Sequence, residues 1–362
     1  MIYLDHAATS IPRSPAVQGA IAMALEMASP GRGRHGPQEA ARAAVEDARA
    51  AVAALGGRGV VCFTPGATFG LNQAILGWRP RPRRIGLDPL VHNAARRPAV
   101  ASGVPLFSLP GDANGRVDLD ADWPADLDLL VITHGSNVTG LVQPVDDILE
   151  RARSVGAAVI VDAAQTAGLT PLPRADAVAF SGHKGLAASP GVGALIVDPT
   201  RGLEPLVRGG VGFDSQADDV PDDLPARLES GTVNLPGVLA MGAAARSLPS
   251  WDWREAGRAL RDALAAAGLT SVGAGELPVA SVRVPGWEPR TLEELLDRVY
   301  GIVTRAGLHC APAAHATIGT AEGGGTLRVS SGRGTSKVEL DALTRALREV
   351  LPGGMKKVSV AP

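Results

Sequence analysis

Lys184 follows the apolar run Ala177-Val178-Ala179-Phe180 and the pair Ser181-Gly182, and no other Lys or Arg lies within eight residues of it, although the chain holds 35. An amine in an apolar, glycine-lined setting has a lowered pKa and can form a Schiff base. Upstream, the buried-strand pattern from Ala157 to Val161 ends in Asp162-Ala163-Ala164-Gln165. Ligands of open α/β sheets bind outside the carboxyl ends of the strands, and a carboxylate there can pair with a protonated ring nitrogen. A third reactive group, Cys310, stands in Arg305-Ala306-Gly307-Leu308-His309-Cys310-Ala311. Its small and polar neighbours predict an irregular, accessible loop in which Arg305 and His309 favour the thiolate. The lysine and the cysteine also have a plainer account: a lysine at a strand–loop junction, and a buried cysteine in a loop.

The elements that must hold these groups read as alternating strands and helices. Residues 14–29 and 37–55 have helical composition. Val60 to Thr64 is a strand, and Pro65-Gly66-Ala67-Thr68 opens a helix through about Leu76. A strand, a small-residue turn and a helix N-terminus make an anion site; the alternative is an ordinary N-cap by Thr64 or Thr68. Further strands are expected at Arg84–Leu87, Val104–Leu109, Asp128–Thr133 and Gly193–Val197, with a crossover helix over Val145–Val155. Toward the end come a long helix from about Leu235, a helix over Arg254–Leu269 and a strand over Val279–Val284. A helix over Thr291–Val299 follows, capped by Thr291 with Glu294 three residues on. Gly31-Arg32-Gly33-Arg34-His35-Gly36 matches GxGxxG formally, but no strand precedes it, so a loop between helices is the better account.

Composition removes several classes. The 362 residues suffice for more than one domain, with 45% hydrophobic and 20% charged residues, as in ordinary globular proteins. A formal net charge of −2 and 3% aromatic residues argue against nucleic acid and membrane partners. No stretch of about 18 apolar residues and no signal-peptide pattern is present, so a cytoplasmic location is the default. Two cysteines, Cys62 and Cys310, make no disulfide framework, and Cys62 reads as a packing residue of its strand. No metal site is expected.

Asp162 followed by Lys184, each at the end of its own strand, resembles the class V, fold-type-I pyridoxal 5′-phosphate (PLP) enzymes. Within these it resembles the cysteine desulfurase and selenocysteine lyase group. Arg305 to Ala311 resembles the group II desulfurase motif Arg-x-Gly-x-His-Cys-Ala at every specified position. The resemblance runs from about residue 2 to 345. It implies an α/β fold with a large domain built on a mostly parallel seven-stranded sheet, Gly193–Val197 being the antiparallel strand. A smaller α+β C-terminal domain completes it. The expected boundaries are 15–240 for the large PLP-binding domain, 1–14 with 241–351 for the small domain carrying Cys310, and 352–362 for a tail.

The same resemblance implies roles. Lys184 carries the cofactor, Asp162 meets the ring nitrogen, Gln165 the ring hydroxyl, and His92 stacks on the ring and shares in proton transfer. Gly66, Ala67, Thr68, Ser181 and His183 hold the phosphate. Thr232, in Gly231-Thr232, reaches the phosphate of the other subunit of a homodimer. Asn137 lies beside the ring oxygen and the substrate carboxylate, Arg328 binds that carboxylate, and His6, Ala7 and Ala8 line the substrate site. Two departures stand out: Phe69 replaces a commonly acidic residue, and Ser331-Gly332-Arg333-Gly334-Thr335 replaces an aromatic-containing stretch. The expected activity converts L-cysteine to L-alanine, with the sulfur held as a Cys310 persulfide for an acceptor protein or small molecule. The alternatives are an aminotransferase, a selenocysteine lyase or a cysteine or cystine lyase, and, from another class, a non-catalytic scaffold of the same fold.

Overall fold

The structure, a computed structural model, describes residues 1–31, 35–212 and 216–351. The expected tail, the centre of the Gly31–Gly36 stretch and part of Asp214–Asp223, whose five aspartates and lack of basic residues predict an exposed loop, lie outside these residues. The chain opens on β1 (Ile2–Tyr3), α1 (Pro15–Leu25) and α2 (Gly36–Ala53). It continues as β2 (Val60–Thr64), α3 (Ala67–Gly77), β3 (Trp78–Arg79), β4 (Ile85–Leu87), α4 (Asn93–Ala101), β5 (Leu106–Ser108) and β6 (Leu129–Thr133). Then come α5 (Val145–Ser154), β7 (Ala158–Asp162), β8 (Ala177–Ser181), β9 (Gly193–Val197), β10 (Gly202–Leu203) and α6 (Leu235–Arg246).

Seven of these strands form one sheet in the order β2-β9-β8-β7-β6-β4-β5. Its neighbours pair in parallel except around β9, which runs antiparallel to both β2 and β8. The strands are apolar runs because both faces are covered. On β7, Val159 and Val161 pack toward α1, α2 and α6, while Ala158 and Ile160 pack toward α3 and α4. Helix α2 buries Ala41, Val45, Ala48 and Val52, a stripe at helical spacing. Helix α5 places Asp146 and Asp147 in its first turn and Arg151 and Arg153 in its last, each sign matching the helix dipole. Cys62 is buried on β2, where burial pushes its thiol pKa up, as a packing residue should.

The outer edge of β2 is blocked by side chains. Glu229 accepts the Phe63 N–H, Arg49 donates to the Val61 carbonyl at 2.7 Å, and Arg49 and Glu229 pair at 2.7 Å. An edge strand with its polar groups occupied cannot template another chain.

The remaining elements are α7 (Trp253–Ala266), β11 (Val279–Val282), α8 (Pro289–Tyr300), β12 (Ile302–Val303), β13 (Arg305–Gly307), α9 (Pro312–Thr317), β14 (Thr326–Ser330) and α10 (Lys337–Val350). Strands β11, β14 and β13 form an antiparallel sheet over a separate core that includes Leu260, Leu296, Leu327 and Leu343. The N-terminal β1 pairs in parallel with β12, and Leu4 belongs to that core.

Two local expectations are corrected. Helix α8 starts at Pro289, and its cap is Glu288, whose carboxylate accepts the Thr291 N–H at 2.8 Å; Thr291 lies inside the first turn. Proline suits the first helical position because its missing N–H would have no partner there. Arg305 to Gly307 is an edge strand and not part of an irregular loop, because its backbone pairs with β14. The irregular part shrinks to residues 308–311, and α9 follows at once.

Gly193, at the start of β9, lies under the turn before α3: a Cβ there would sit 2.4 Å from the Phe180 carbonyl oxygen and 2.7 Å from the Gly66 Cα. Gly193→Ala is expected to cost about 2 kcal/mol in urea unfolding, an overpacking penalty. Gly36→Ala, at an open position, should be neutral.

Candidate active site

Strands β6, β7 and β8 are adjacent and parallel, so their carboxyl ends share one sheet edge. Asp162, the last residue of β7, is registered between Thr133 and Ala179 and is buried, with Oδ1 accepting the Ala164 N–H at 2.9 Å. Lys184 follows three residues after β8. Desolvation is the main cause of a lowered pKa at Lys184, and Asp162 opposes it. His92 feels the same groups: burial lowers its pKa, Asp162 raises it, and Lys184 and Arg328 lower it. His92 caps α4, its Nδ1 accepting the Ala94 N–H at 3.0 Å, which makes Nε2 the protonated nitrogen of the neutral ring.

The turn before α3 is an open anion cradle. Gly66 is the N-cap, at φ +153°, and no side chain caps the helix; the Thr64 hydroxyl instead donates to the Gly66 carbonyl at 3.1 Å. Capping by Thr64 or Thr68 is therefore overturned, and the N–H groups of Thr68 and Phe69 stay free of a capping side chain. Ala67 N–H donates to Ser181 Oγ at 2.9 Å, joining this cradle to the end of β8. His183 is half-buried, its Nδ1 3.1 Å from Thr9 Oγ1. Thr232 is exposed and lines a cleft of about 330 Å³ with Phe63, Thr64 and Pro65, the residues that lead into this turn.

Cys310 is exposed. Its carbonyl accepts the Asn93 N–H at 2.8 Å, and the His309 carbonyl accepts Asn137 Nδ2 at 2.8 Å. The thiol-bearing turn is thus fastened to the turns that carry His92 and Asn137. His309 and Cys310 both sit in the left-handed region, at φ 49° and 56°. The expectation that His309 charges the thiol's surroundings is corrected: its ring is buried, Nε2 lies 3.1 Å from Thr326 Oγ1, and its pKa falls to about 2. A neutral imidazole adds no positive charge.

Arg328, on β14, is buried and pairs with Asp5 at 2.6 Å; it also donates to the Asn137 carbonyl at 3.3 Å, while Nε has no partner. His6, Ala7 and Ala8 bridge the two sheets. Ala7 N–H donates to Ser330 Oγ at 2.9 Å, and the Ala7 carbonyl accepts Gln165 Nε2 at 3.0 Å. His6 Nδ1 is buried without a partner, and burial lowers its pKa to about 4.

Three residues were passed over in the sequence. Asp5 orients Arg328. Asp88, directly after β4, accepts the Leu90 and Thr133 N–H groups, each at 2.8 Å, and so ties the His92 turn to β6. The rule that singled out Asp162, a carboxylate at the carboxyl end of a parallel strand, picks out Asp88 equally well. Arg333, noted only as a departure, donates to the carbonyls of Gly185 and Gly168.

A lysine and a carboxylate on neighbouring strand ends, beside an uncapped helix N-terminus, define an α/β enzyme site of the PLP fold-type-I class. The Aminotransferase class-V family profile matches residues 2–343. A probable cysteine desulfurase of Methanothermobacter thermautotrophicus is 29% identical, covering 96% of this chain and 94% of its own. One of Pseudomonas aeruginosa is 32% identical, with 96% and 93% covered. The apo structure of the cysteine desulfurase from Thermococcus onnurineus NA1 superposes with a TM-score of 0.86 at 27% identity, over 97% of this chain and 95% of that one. The chain belongs to the class-V aminotransferase family, whose enzymes are PLP-dependent. The residues fit that group: free helix N–H donors for a phosphate, a desolvated amine for a carbonyl, and a buried carboxylate for a ring nitrogen.

A non-glycine residue in the left-handed region costs about 1 kcal/mol. Cys310→Gly is therefore expected to be more stable than Cys310→Ala by about that amount in urea unfolding. The buried histidines predict acid sensitivity as well. Burial lowers the pKa values of His134, His309 and His315 to about 4, 2 and 4, from the ordinary imidazole value of 6.5. The unfolded chain takes up protons first, so their stability is complete above pH 6.5 and is lost as pH falls toward 4. Urea midpoints measured across that range should decline steeply.

Proposed function

We propose that this chain is a PLP-dependent cysteine desulfurase that converts L-cysteine to L-alanine and holds the sulfur on Cys310. The observation that carries the reading is the exposed Cys310, fastened by its carbonyl to Asn93 beside His92 and, through His309, to Asn137. It lies within the motif Arg305 to Ala311 and in a family whose relatives carry the name cysteine desulfurase.

Bound PLP supplies an electron sink. Lys184 Nζ, kept basic enough by Asp162 and weakened as an acid-holding group by desolvation, takes the substrate α-proton and returns one. Asp162 would hold a proton on the ring nitrogen, Gln165 would meet the ring hydroxyl, and His92 would cover the ring. Gly66, Ala67, Thr68, Ser181 and His183 would hold the phosphate. Arg328 and Asn137 orient the substrate carboxylate, a bidentate partner suited to guanidinium geometry. His6, Ala7 and Ala8 close the substrate side.

Sulfur transfer then balances within the named groups. The Cys310 thiolate attacks the substrate sulfur, a new S–S bond forms, and the substrate C–S bond breaks. Its electron pair goes to the substrate carbon, which His92 Nε2–H can protonate, leaving alanine and a Cys310 persulfide. A protein or small-molecule thiol would accept that sulfur. The reading also includes a homodimer in which Thr232 reaches the partner's phosphate, supported by its exposure beside Thr64 and Pro65. It divides the chain into a large unit (15–240) and a small unit (1–14 with 241–351), with α6 across the junction. For location, no helix of the described residues is long and apolar enough to cross a membrane, and the reading places the enzyme in the cytoplasm.

The test is alanine release from L-cysteine with a thiol reductant, comparing the unsubstituted protein with Cys310→Ala. Alanine formation is expected to vanish in the variant while visible absorbance of bound PLP remains. Alanine or pyruvate formed at an undiminished rate would overturn the persulfide route in favour of a lyase or aminotransferase.

A further inference from the structure

Arg333 occupies the stretch where the sequence departs from its family, in the loop between β14 and α10. It is half-buried, and its guanidinium lies 5.3 Å from the Trp251 ring centroid. One terminal nitrogen donates to the Gly185 carbonyl and the other to the Gly168 carbonyl. Nε is buried without a partner, and among the described residues no carboxylate pairs with the group. Burial alone lowers its pKa. A half-buried guanidinium without a counter-charge is costly. It is retained here by two carbonyl oxygens and a ring face, so its geometry is the feature to explain.

Both carbonyls belong to segments that carry the chemistry. Gly185 directly follows Lys184. Gly168 closes the turn that begins at Asp162, in which Thr166 and Ala167 N–H groups bond to the Ala163 carbonyl. The two segments meet backbone to backbone: a Cβ on Gly185 would lie 2.4 Å from the Ala167 carbonyl oxygen, and one on Gly168 would lie 3.0 Å from the Gly185 carbonyl carbon. Neither glycine has room for a side chain at this seam, and Arg333 spans it from the small sheet's side.

We propose that Arg333 is a positioning residue for Lys184, joining the lysine's segment to the Asp162–Gln165 turn so that amine and carboxylate keep their spacing and stay sealed from water. The inference rests on the PLP reading of the site. Desolvation is the leading influence on Lys184, so opening the seam returns water to the amine and favours its protonated form. Lysine cannot replace arginine here, because a single ammonium does not span two carbonyls in the fixed fork of a guanidinium.

The experiment uses the PLP-loaded protein and the variants Arg333→Met and Arg333→Lys. The pH titration of the bound cofactor's band at about 420 nm is recorded, with thermal midpoints and kcat and KM for L-cysteine. Both variants are expected to move the titration midpoint upward and to lower kcat about tenfold with KM within about twofold, as misplacement of a reacting group does. If Arg333→Met does not fold, Arg333→Lys carries the test. Lower thermal midpoints with titration and kcat unchanged would reduce Arg333 to a structural contact and overturn the proposal. Full recovery in Arg333→Lys would overturn it too, since charge alone would then suffice. The titration needs no alanine formation, so it separates this inference from the desulfurase reading. A missing band in the unsubstituted protein would remove the PLP assignment and this inference together.

Discussion

The site depends on keeping one amine short of water beside one carboxylate. Desolvation draws Lys184 toward its neutral form, and Asp162 draws it back. Neither influence could be arranged by a loop alone. It takes three parallel strands, β6, β7 and β8, ending at one edge, with every strand residue buried on both faces. The antiparallel β9 adds Gly193, whose missing side chain lets the Gly66 turn settle against β8. The anion cradle and the lysine are therefore placed by the same piece of sheet.

The sulfur chemistry is placed by different means. Cys310 belongs to no strand or helix, and its turn sits in a backbone region that non-glycine residues avoid. What holds it is a pair of polar contacts from turns of the seven-stranded sheet, the Asn93 N–H and the Asn137 amide. Those same contacts bring the turn to the helix cap formed by His92. A strained turn persists when its surroundings over-determine it, and here the determination comes from across the molecule.

The sequence made the strands and the lysine legible because their signals are local. Apolar runs bounded by glycine, proline and polar residues mark β2, β6, β7, β8 and β9, and Lys184 stands alone among uncharged neighbours. The first strand residues shifted by one or two positions, as at Ala158, and the cap of α8 moved from Thr291 to Glu288 because Pro289 reads equally well as a first helical residue. What could not be read was long-range. The pairing of Asp5 with Arg328 spans 323 residues, and the β13 strand exists only because β14 lies beside it. His309 was misjudged for a related reason: its neutrality follows from burial against Thr326, which sequence neighbours do not reveal. The family resemblance supplied roles that spacing alone left open.

The N-terminal strand has an implication for how the molecule is made. Among the described residues, strand β1 finds its partner only in β12 and Asp5 its cation only in Arg328, so the segment that carries them must wait for elements far along the chain. Through that interval the seven-stranded sheet already has all its strands, since β9 ends at Val197. Domains generally fold as units during synthesis, N-terminal ones first. A nascent chain of this protein thus has the sheet edge that carries Asp162 and Lys184 before Cys310 is made, and Arg328 and Arg333 complete the surroundings of that edge afterwards. The turns that fasten the thiol, at Asn93 and Asn137, are likewise made before Cys310 itself.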